Sequence, residues 1–268
     1  MSGFQLAEQQ AQRYEAVTSI FMSGSAALLA TTAGVRPGDS VLDLACGTGL
    51  VLRHAVPLVG TAGRAVGTDV NPAMLSVARS AAGDAGARIE WHEAPAEAQP
   101  FPDASFDHVL CQQGLQFFPD PVAAIAECMR VLRPGGTLRA TIWATPGGNP
   151  YIERQLEMLA LLDESLVPSL QVAAPSDADG LMLGWARDAG CPRTSIDRIE
   201  HVAPISDLGR FFLDQTASTP WGRVLAALPE SERSALVVDM CETLAQYEDA
   251  TGTHQVPFCS YRLTAQAG

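Results

Sequence analysis

The sequence predicts a doubly wound α/β fold: a mostly parallel, seven-stranded sheet with an N-terminal helical segment and an inserted helical cap. Three observations lead there. Between residues 40 and 144, short apolar runs alternate with helical stretches, the pattern of parallel strands joined by crossover helices. The first run, "VLDLACGTGL" (residues 41–50), ends in glycines and opens into a helix. Two more strand-like segments follow the last crossover, with helices between them.

Taken in order, residues 5–33 read as a helix, with Leu6, Tyr14, Val17, Ile20, Phe21 and Leu28 on an irregular apolar face. "GVRPGD" turns the chain into the first strand, "SVLDLAC". "GRAVGTDV" is the second strand and "NPAMLSVARSAAGDAG" the next helix, with Pro72 near its first turn, where a missing N–H is harmless. "ARIEWHEA" and "FDHVLCQQ" are the third and fourth strands. A helix through "VAAIAECMRVL" stops at "RPGG", and "TLRATIWA" is the fifth strand. Beyond Trp143, "TPGGNPYIERQLEMLALLDESL" is a loop and a helix, "LMLGWARDAG" a helix and "TSIDRIEHVAPI" a strand. Residues 207–248 hold two or three helices broken at Pro220 and Pro229, and "HQVPFCSYRLTAQ" alternates like a last strand. Three regions result: N-terminal helices over the binding site (1–35), a nucleotide-binding core (36–145), and a region of late strands with a cap (146–268). The cap occupies about 146–176 and 207–248.

Composition removes several function classes. The net charge is −13, and every one of the 17 basic residues is Arg. Without Lys there is no Schiff-base chemistry and no P-loop lysine. An acidic surface repels phosphate backbones, so no nucleic-acid partner is expected. No apolar run reaches the length of a membrane span and the N-terminus has no secretory pattern, so a cytoplasmic chain without a membrane partner is expected. Six cysteines without a C-x-x-C pair read as free thiols, and no metal site is expected.

The glycine turn carries the chemistry. Gly47 and Gly49 let the backbone turn tightly and approach a ligand that a Cβ would exclude. Asp69 ends the next strand twenty residues after Gly49, a distance suited to a carboxylate on ribose hydroxyls. A dinucleotide turn wants a third glycine three positions on, where this chain has Leu52. Asp43, at the strand end, opposes a pyrophosphate and suits a cationic amino group. The expected ligand carries an adenosine and a positively charged amino-acid end. A nicotinamide-dependent oxidoreductase is disfavoured on these grounds.

"VLDLACGTG", "GTDVNPAML", "AEAQPFPDASFDHVLCQQGLQFFPDP" and "MRVLRPGGTL" resemble successive motifs of the class I S-adenosylmethionine-dependent methyltransferases, with their Rossmann-like sheet. The subgroup most like it is that of the ubiquinone and menaquinone biosynthesis methyltransferases (methyltransferase type 11), over roughly residues 10–145. The resemblance implies S-adenosylmethionine as cofactor. It places Asp43, Gly47, Thr48 and Gly49 along the methionine end and Asp69 on both ribose hydroxyls. Val70 and Met74 would pack on the adenine, the Ala96 N–H would meet the adenine ring, and Gln112 the methionyl moiety. Tyr14 would stand over the methionine end. One departure is Pro95, which replaces the Asp or Asn that usually pairs with the adenine amine.

The expected reaction is transfer of a methyl group to a small hydrophobic or aromatic metabolite at carbon or oxygen, with nitrogen also open. The alternative is a protein that binds S-adenosylmethionine without transferring its methyl. Methyl transfer needs a base only where the nucleophile must lose a proton early. Tyr14, His201 and His254 are the candidates for such catalytic work. Gln113, Phe117, Trp143, Phe211 and Trp221 are the candidate acceptor contacts, the aromatic ones as a lining beneath the cap.

Overall fold

The computed structural model describes residues 6–83 and 88–268. The first residues of the N-terminal region and the end of the helix expected over 71–86 lie outside them. Helix α1 (Glu8–Thr31) leads to β1 (Ser40–Leu44), α2 (Leu50–Val59), β2 (Arg64–Asp69), α3 (Pro72–Ala81) and β3 (Ile89–Glu93). After β4 (Phe106–Gln112) come α4 (Pro121–Val131), β5 (Leu132–Trp143), α5 (Pro150–Leu162), α6 (Val167–Ala173) and α7 (Ala178–Asp188). β6 (Thr194–Ile205), α8 (Leu208–Ala217), α9 (Gly222–Ala227), α10 (Glu230–Leu244) and β7 (His254–Gln266) complete the chain.

The seven strands form one sheet in the order β3-β2-β1-β4-β5-β7-β6. β1 to β5 run parallel, and β7 enters antiparallel between β5 and β6. The strand order reverses between β1 and β4, and the crevice beyond the carboxyl ends of these strands is where such sheets bind ligands. Side chains of β1 divide between two apolar layers: Val41 joins the layer under α1 and α2, and Leu42 and Leu44 join the layer under α4 and α7. Asp43, on Val41's face, therefore points toward α1 and α2. All six cysteines are free. Among the described residues, no helix is long and apolar enough to cross a membrane.

The start of β5 differs most from the sequence reading. β5 starts at Leu132, five residues before the expected Thr137, because Leu132 pairs with Phe106 before a bulge re-registers the strand at His108. "RPGG" is thus held in the sheet, with Gly135 and Gly136 bonded to Ala267. The helix Val167–Ala173 falls in a stretch of the expected cap to which the sequence reading assigns no element, and its Pro168 sits in the first turn, where proline is tolerated.

Tight packing beneath the glycine turn is set by register. Gly67 pairs with Trp91 on one side and Asp43 on the other. A Cβ on Gly67 would stand 2.8 Å from both the Trp91 ring and Leu52 Cδ1, and one on Gly49 2.6 Å from Trp91 Cη2. The indole occupies the space that two glycines leave open. Gly67→Ala should therefore cost about 1–3 kcal/mol through overpacking, read as a lower urea midpoint. An unchanged midpoint would show that the ring moves aside freely.

Candidate functional site

A cavity of about 340 Å³ opens at the carboxyl ends of the parallel strands, between the sheet, α1 and the cap helices. Its floor comes from the turn after β1. Ala45 and Gly47 hold positive φ angles of 54° and 53°, which carries the backbone to the wall. A Cβ at Gly47 would meet no protein atom within 4 Å, so a ligand can lie directly on this peptide.

Asp69 organises this end. Its two carboxylate oxygens accept from the Gly47 N–H and the Asn71 N–H, each at 2.8 Å. Each oxygen keeps a lone pair, and the side chain lines the cavity. Burial raises its pKa, and the surrounding backbone N–H groups pull it back. Asn71 caps α3 by accepting from Ala73 N at 2.9 Å and reaches back to the Leu6 carbonyl at 3.1 Å.

Asp43 is 1% exposed, and neither of its oxygens has a hydrogen-bond partner among the described residues. Burial, then the charge of Asp69, pushes its pKa well above the ordinary carboxylate range. The Leu52 N–H in the first turn of α2 pulls the other way without completing a bond of normal geometry. A buried carboxyl left without a partner is the strongest local sign that a positive group belongs nearby.

Tyr14, Gly47, Asp69, Val70, Met74 and Ala96 come together at this end. Burial pushes the Tyr14 phenol up to about 12, with Asp69 and Glu15 adding to it, so it stays protonated at neutral pH. Gln112 also lines the wall and donates to the Met22 carbonyl at 3.1 Å and Ser25 Oγ at 2.7 Å, tying α1 to the end of β4. At the departure noted above, the Pro95 carbonyl is taken by Gln99 Nε2 at 2.7 Å, while Glu97 joins the cavity wall.

Gln113, Phe117, Trp143 and Trp221 line the opposite end. Trp143 stacks on Phe21 with ring centroids 6.2 Å apart, and Trp221 donates its indole N–H to Ser169 Oγ at 3.1 Å. Both ends of the Gln113 amide have partners: the nitrogen donates to Ser260 Oγ at 2.9 Å and the oxygen accepts from Gln116 at 3.3 Å.

Six expected residues stand elsewhere. Asp43, Thr48 and Gly49 are not at the wall, because the turn presents Ala45 and Gly47 there and buries Thr48. Gly49 begins α2 against Trp91. Phe211 is buried edge-on against Phe21, 5.6 Å between centroids, and beside Tyr151. His201 stacks on Phe258, and its Nε2 lies 2.6 Å from the Phe21 carbonyl. His254 is buried at the start of β7, paired with Ile205. Neither histidine lines the cavity: His201 is held by the Phe21 carbonyl of α1, and His254 is buried at the start of β7, its Nδ1 without a partner among the described residues.

The wall also includes residues the sequence reading missed, among them Ala45, Met22, Ile152, Gln155, Gln215 and Thr219. Gln155 had a usable signal, a polar side chain one turn after Tyr151 on an otherwise apolar helix stripe.

Residues 42–140 match the family model described as a methyltransferase domain. A ubiquinone/menaquinone biosynthesis C-methyltransferase of Hahella chejuensis (strain KCTC 2396) is 42% identical over 147 residues, 54% of this chain and 58% of the relative. The chain thus spans little more than half of that relative's length. Among solved structures, the phosphoethanolamine N-methyltransferase 2 of Haemonchus contortus has a TM-score of 0.61 at 18% identity, covering 97% of this chain and 57% of that one. That structure holds phosphomonomethylethanolamine and S-adenosylhomocysteine. A methyltransferase structure from Bacillus halodurans C-125 has a TM-score of 0.56 at 20% identity, covering 90% and 97%. Residues 42–140 thus match a methyltransferase domain, and the sheet around them has the fold of these solved methyltransferases.

Because both oxygens of Asp69 hold backbone N–H groups, Asp69→Asn should destabilise the protein with no ligand present. One donor would face an amide NH₂, a loss of about 1–3 kcal/mol. Urea unfolding checks this, and an unaltered midpoint would show that Asp69 does not hold the turn.

Proposed function

We propose that this chain transfers the methyl group of S-adenosylmethionine to a small apolar or aromatic acceptor, at carbon or oxygen. The observation that carries the reading is the pair of carboxyls at the glycine turn, Asp69 at the wall and the buried Asp43 beside it, which has no partner among the described residues. Together they favour a cationic amino-acid end and a ribose, and they repel a pyrophosphate.

The residues present fit that cofactor. The Asp69 lone pairs would take the ribose hydroxyls, the Gly47 peptide and Tyr14 would flank the methionyl end, and Val70 and Met74 the adenine. When bound, the cofactor supplies an electrophilic methyl on a sulfonium. The protein's part is to orient the acceptor and exclude water, and positioning of this kind is worth on the order of 7–11 kcal/mol. Among the described wall residues there is no imidazole, and the Tyr14 phenol holds its proton. The wall carboxylates, Asp69 and Glu97, stand by the glycine-turn end, so an acceptor that arrives already nucleophilic, as an electron-rich ring does, suits the cap end best. The naming of the Hahella relative as a C-methyltransferase of ubiquinone and menaquinone biosynthesis makes a quinol-type ring the first acceptor to try.

The test is a thermal-shift panel followed by methyl transfer from labelled cofactor to an extract of ring acceptors. S-adenosylhomocysteine should raise Tm, as a ligand of the native state does, and NAD should not. Asp69→Ala should weaken S-adenosylhomocysteine at least about tenfold. Stabilisation by NAD alone would overturn the reading, and binding without transfer would leave a cofactor-binding protein.

A second expectation concerns pH. Because the Asp43 pKa is raised, its carboxyl is neutral at the acid end of the range and ionises as pH rises. An α-amino group stays protonated up to about pH 7, so affinity for S-adenosylhomocysteine should increase as rising pH ionises Asp43. Asp43→Asn should flatten the slope in calorimetric titrations. Equal slopes for the two proteins would remove Asp43 from recognition of the cation.

A further inference from the structure

The cap half of the cavity contains a pair of amides whose orientation the fold determines. Gln155 on α5 and Gln215 on α8 both line the wall. The Thr216 hydroxyl spends its proton on the Phe212 carbonyl at 2.8 Å. Toward Gln155 it can therefore only accept, and Gln155 Nε2 donates to it at 2.7 Å. The same Nε2 donates to Gln215 Oε1. The Tyr151 hydroxyl, on a fully buried ring, donates to that oxygen too, at 3.3 Å. Two donors thus converge on Gln215 Oε1, and turning either amide over would set like groups against each other.

The free ends follow from this arrangement. Gln155 Oε1, an acceptor, and Gln215 Nε2, a donor, have no partner among the described residues, and both belong to side chains at the cavity wall. The walls around them are apolar, with Trp143, Trp221, Ile152 and Leu156. No Arg or His is among the described wall residues, and the wall carboxylates Asp69 and Glu97 lie at the end of β2 and after β3, by the glycine-turn end.

We propose that Gln155 and Gln215 are the specificity-determining contacts for the acceptor, and that they select an uncharged ring bearing a hydroxyl. This rests on the methyltransferase reading. A ring hydroxyl satisfies both free ends at once: its O–H donates to Gln155 Oε1, and its lone pair accepts from Gln215 Nε2. A carboxylate or phosphate sets a negative oxygen against Gln155 Oε1 with no cation to offset it. An ammonium leaves Gln215 Nε2 unpaired. A bare hydrocarbon leaves both amide ends dry and unsatisfied, which a site built around a hydroxyl penalises strongly.

Four probes of one shape test this: 2-naphthol, naphthalene, 2-naphthoate and 2-naphthylmethylammonium. Their binding is measured at pH 7 by fluorescence titration, with and without S-adenosylhomocysteine. The wild-type protein should bind naphthol at least tenfold more tightly than naphthalene or naphthoate. Gln155→Met and Gln215→Met should erase that preference and leave naphthalene within threefold of its wild-type affinity. Gln215→Glu keeps an oxygen for Tyr151 and Gln155 but loses the donor, so it decides the matter should a Met variant fail to fold. It should lose naphthol at least tenfold and gain the ammonium probe at least threefold, a switch that a purely structural strut would not produce. A wild-type protein without naphthol preference, or a Gln215→Glu protein that retains it, overturns the proposal. Because the ranking is also measured without S-adenosylhomocysteine, failure of the cofactor to bind strikes the methyltransferase reading separately.

Discussion

The carboxylate of Asp69 is the constraint on which the site depends. It sits at the carboxyl end of β2 and holds the backbone N–H of Gly47, in the turn after β1, and of Asn71, at the start of α3. One side chain thereby joins two parallel strands at the point where the chain leaves the sheet. Asn71, held by it, caps α3 and anchors the beginning of α1 through the Leu6 carbonyl. The glycine turn, the helix beyond it and the helix that covers the cavity are linked through this one group. Such a carboxylate is short of solvent, which raises its pKa, and the N–H groups it holds are what keep the charge tolerable.

Charge divides the cavity. At the glycine turn the acidic groups are concentrated, with Asp43 buried and unpartnered behind the wall. At the cap end, polarity is carried by neutral amides among aromatic and aliphatic walls. A molecule that is cationic at one end therefore has a single favourable orientation, and a neutral apolar partner is drawn to the other. On α1, Phe21 touches Trp143 of β5, Phe258 of β7 and Phe211 of the cap, so the cap and the core meet at this ring. That cluster takes Phe211 out of the cavity and leaves Trp143 at its edge. His201 belongs to the same seam, and desolvation lowers its pKa, so it is neutral where a base would have to act.

Much of the core was legible because its signals are local. The alternation of strands and helices, the Asp–glycine turn, the acid ending β2 and Pro72 at a helix start are each read from a few adjacent residues. The late strands were also legible, since "TSIDRIEHVAPI" and "HQVPFCSYRLTAQ" alternate. The early start of β5 was not, because "RPGG" is a turn by local rules and becomes strand only through Phe106 and the C-terminal Ala267.

The sequence by itself determined the fold class, the order of the elements and the chemistry of the glycine-turn end. Periodicity and turn stereochemistry act over a few residues, and the residues that flank a strand end are neighbours in the chain. Tertiary structure alone decided which face of the turn meets the cavity, so that Ala45 and Gly47 line it while Thr48 is buried. It alone withdrew His201, His254 and Phe211, and brought Gln155 and Gln215 together from positions sixty residues apart. Hydrogen-bond satisfaction is a property of groups that meet in space. Whether a polar side chain is spent or free depends on partners whose distance along the chain carries no information.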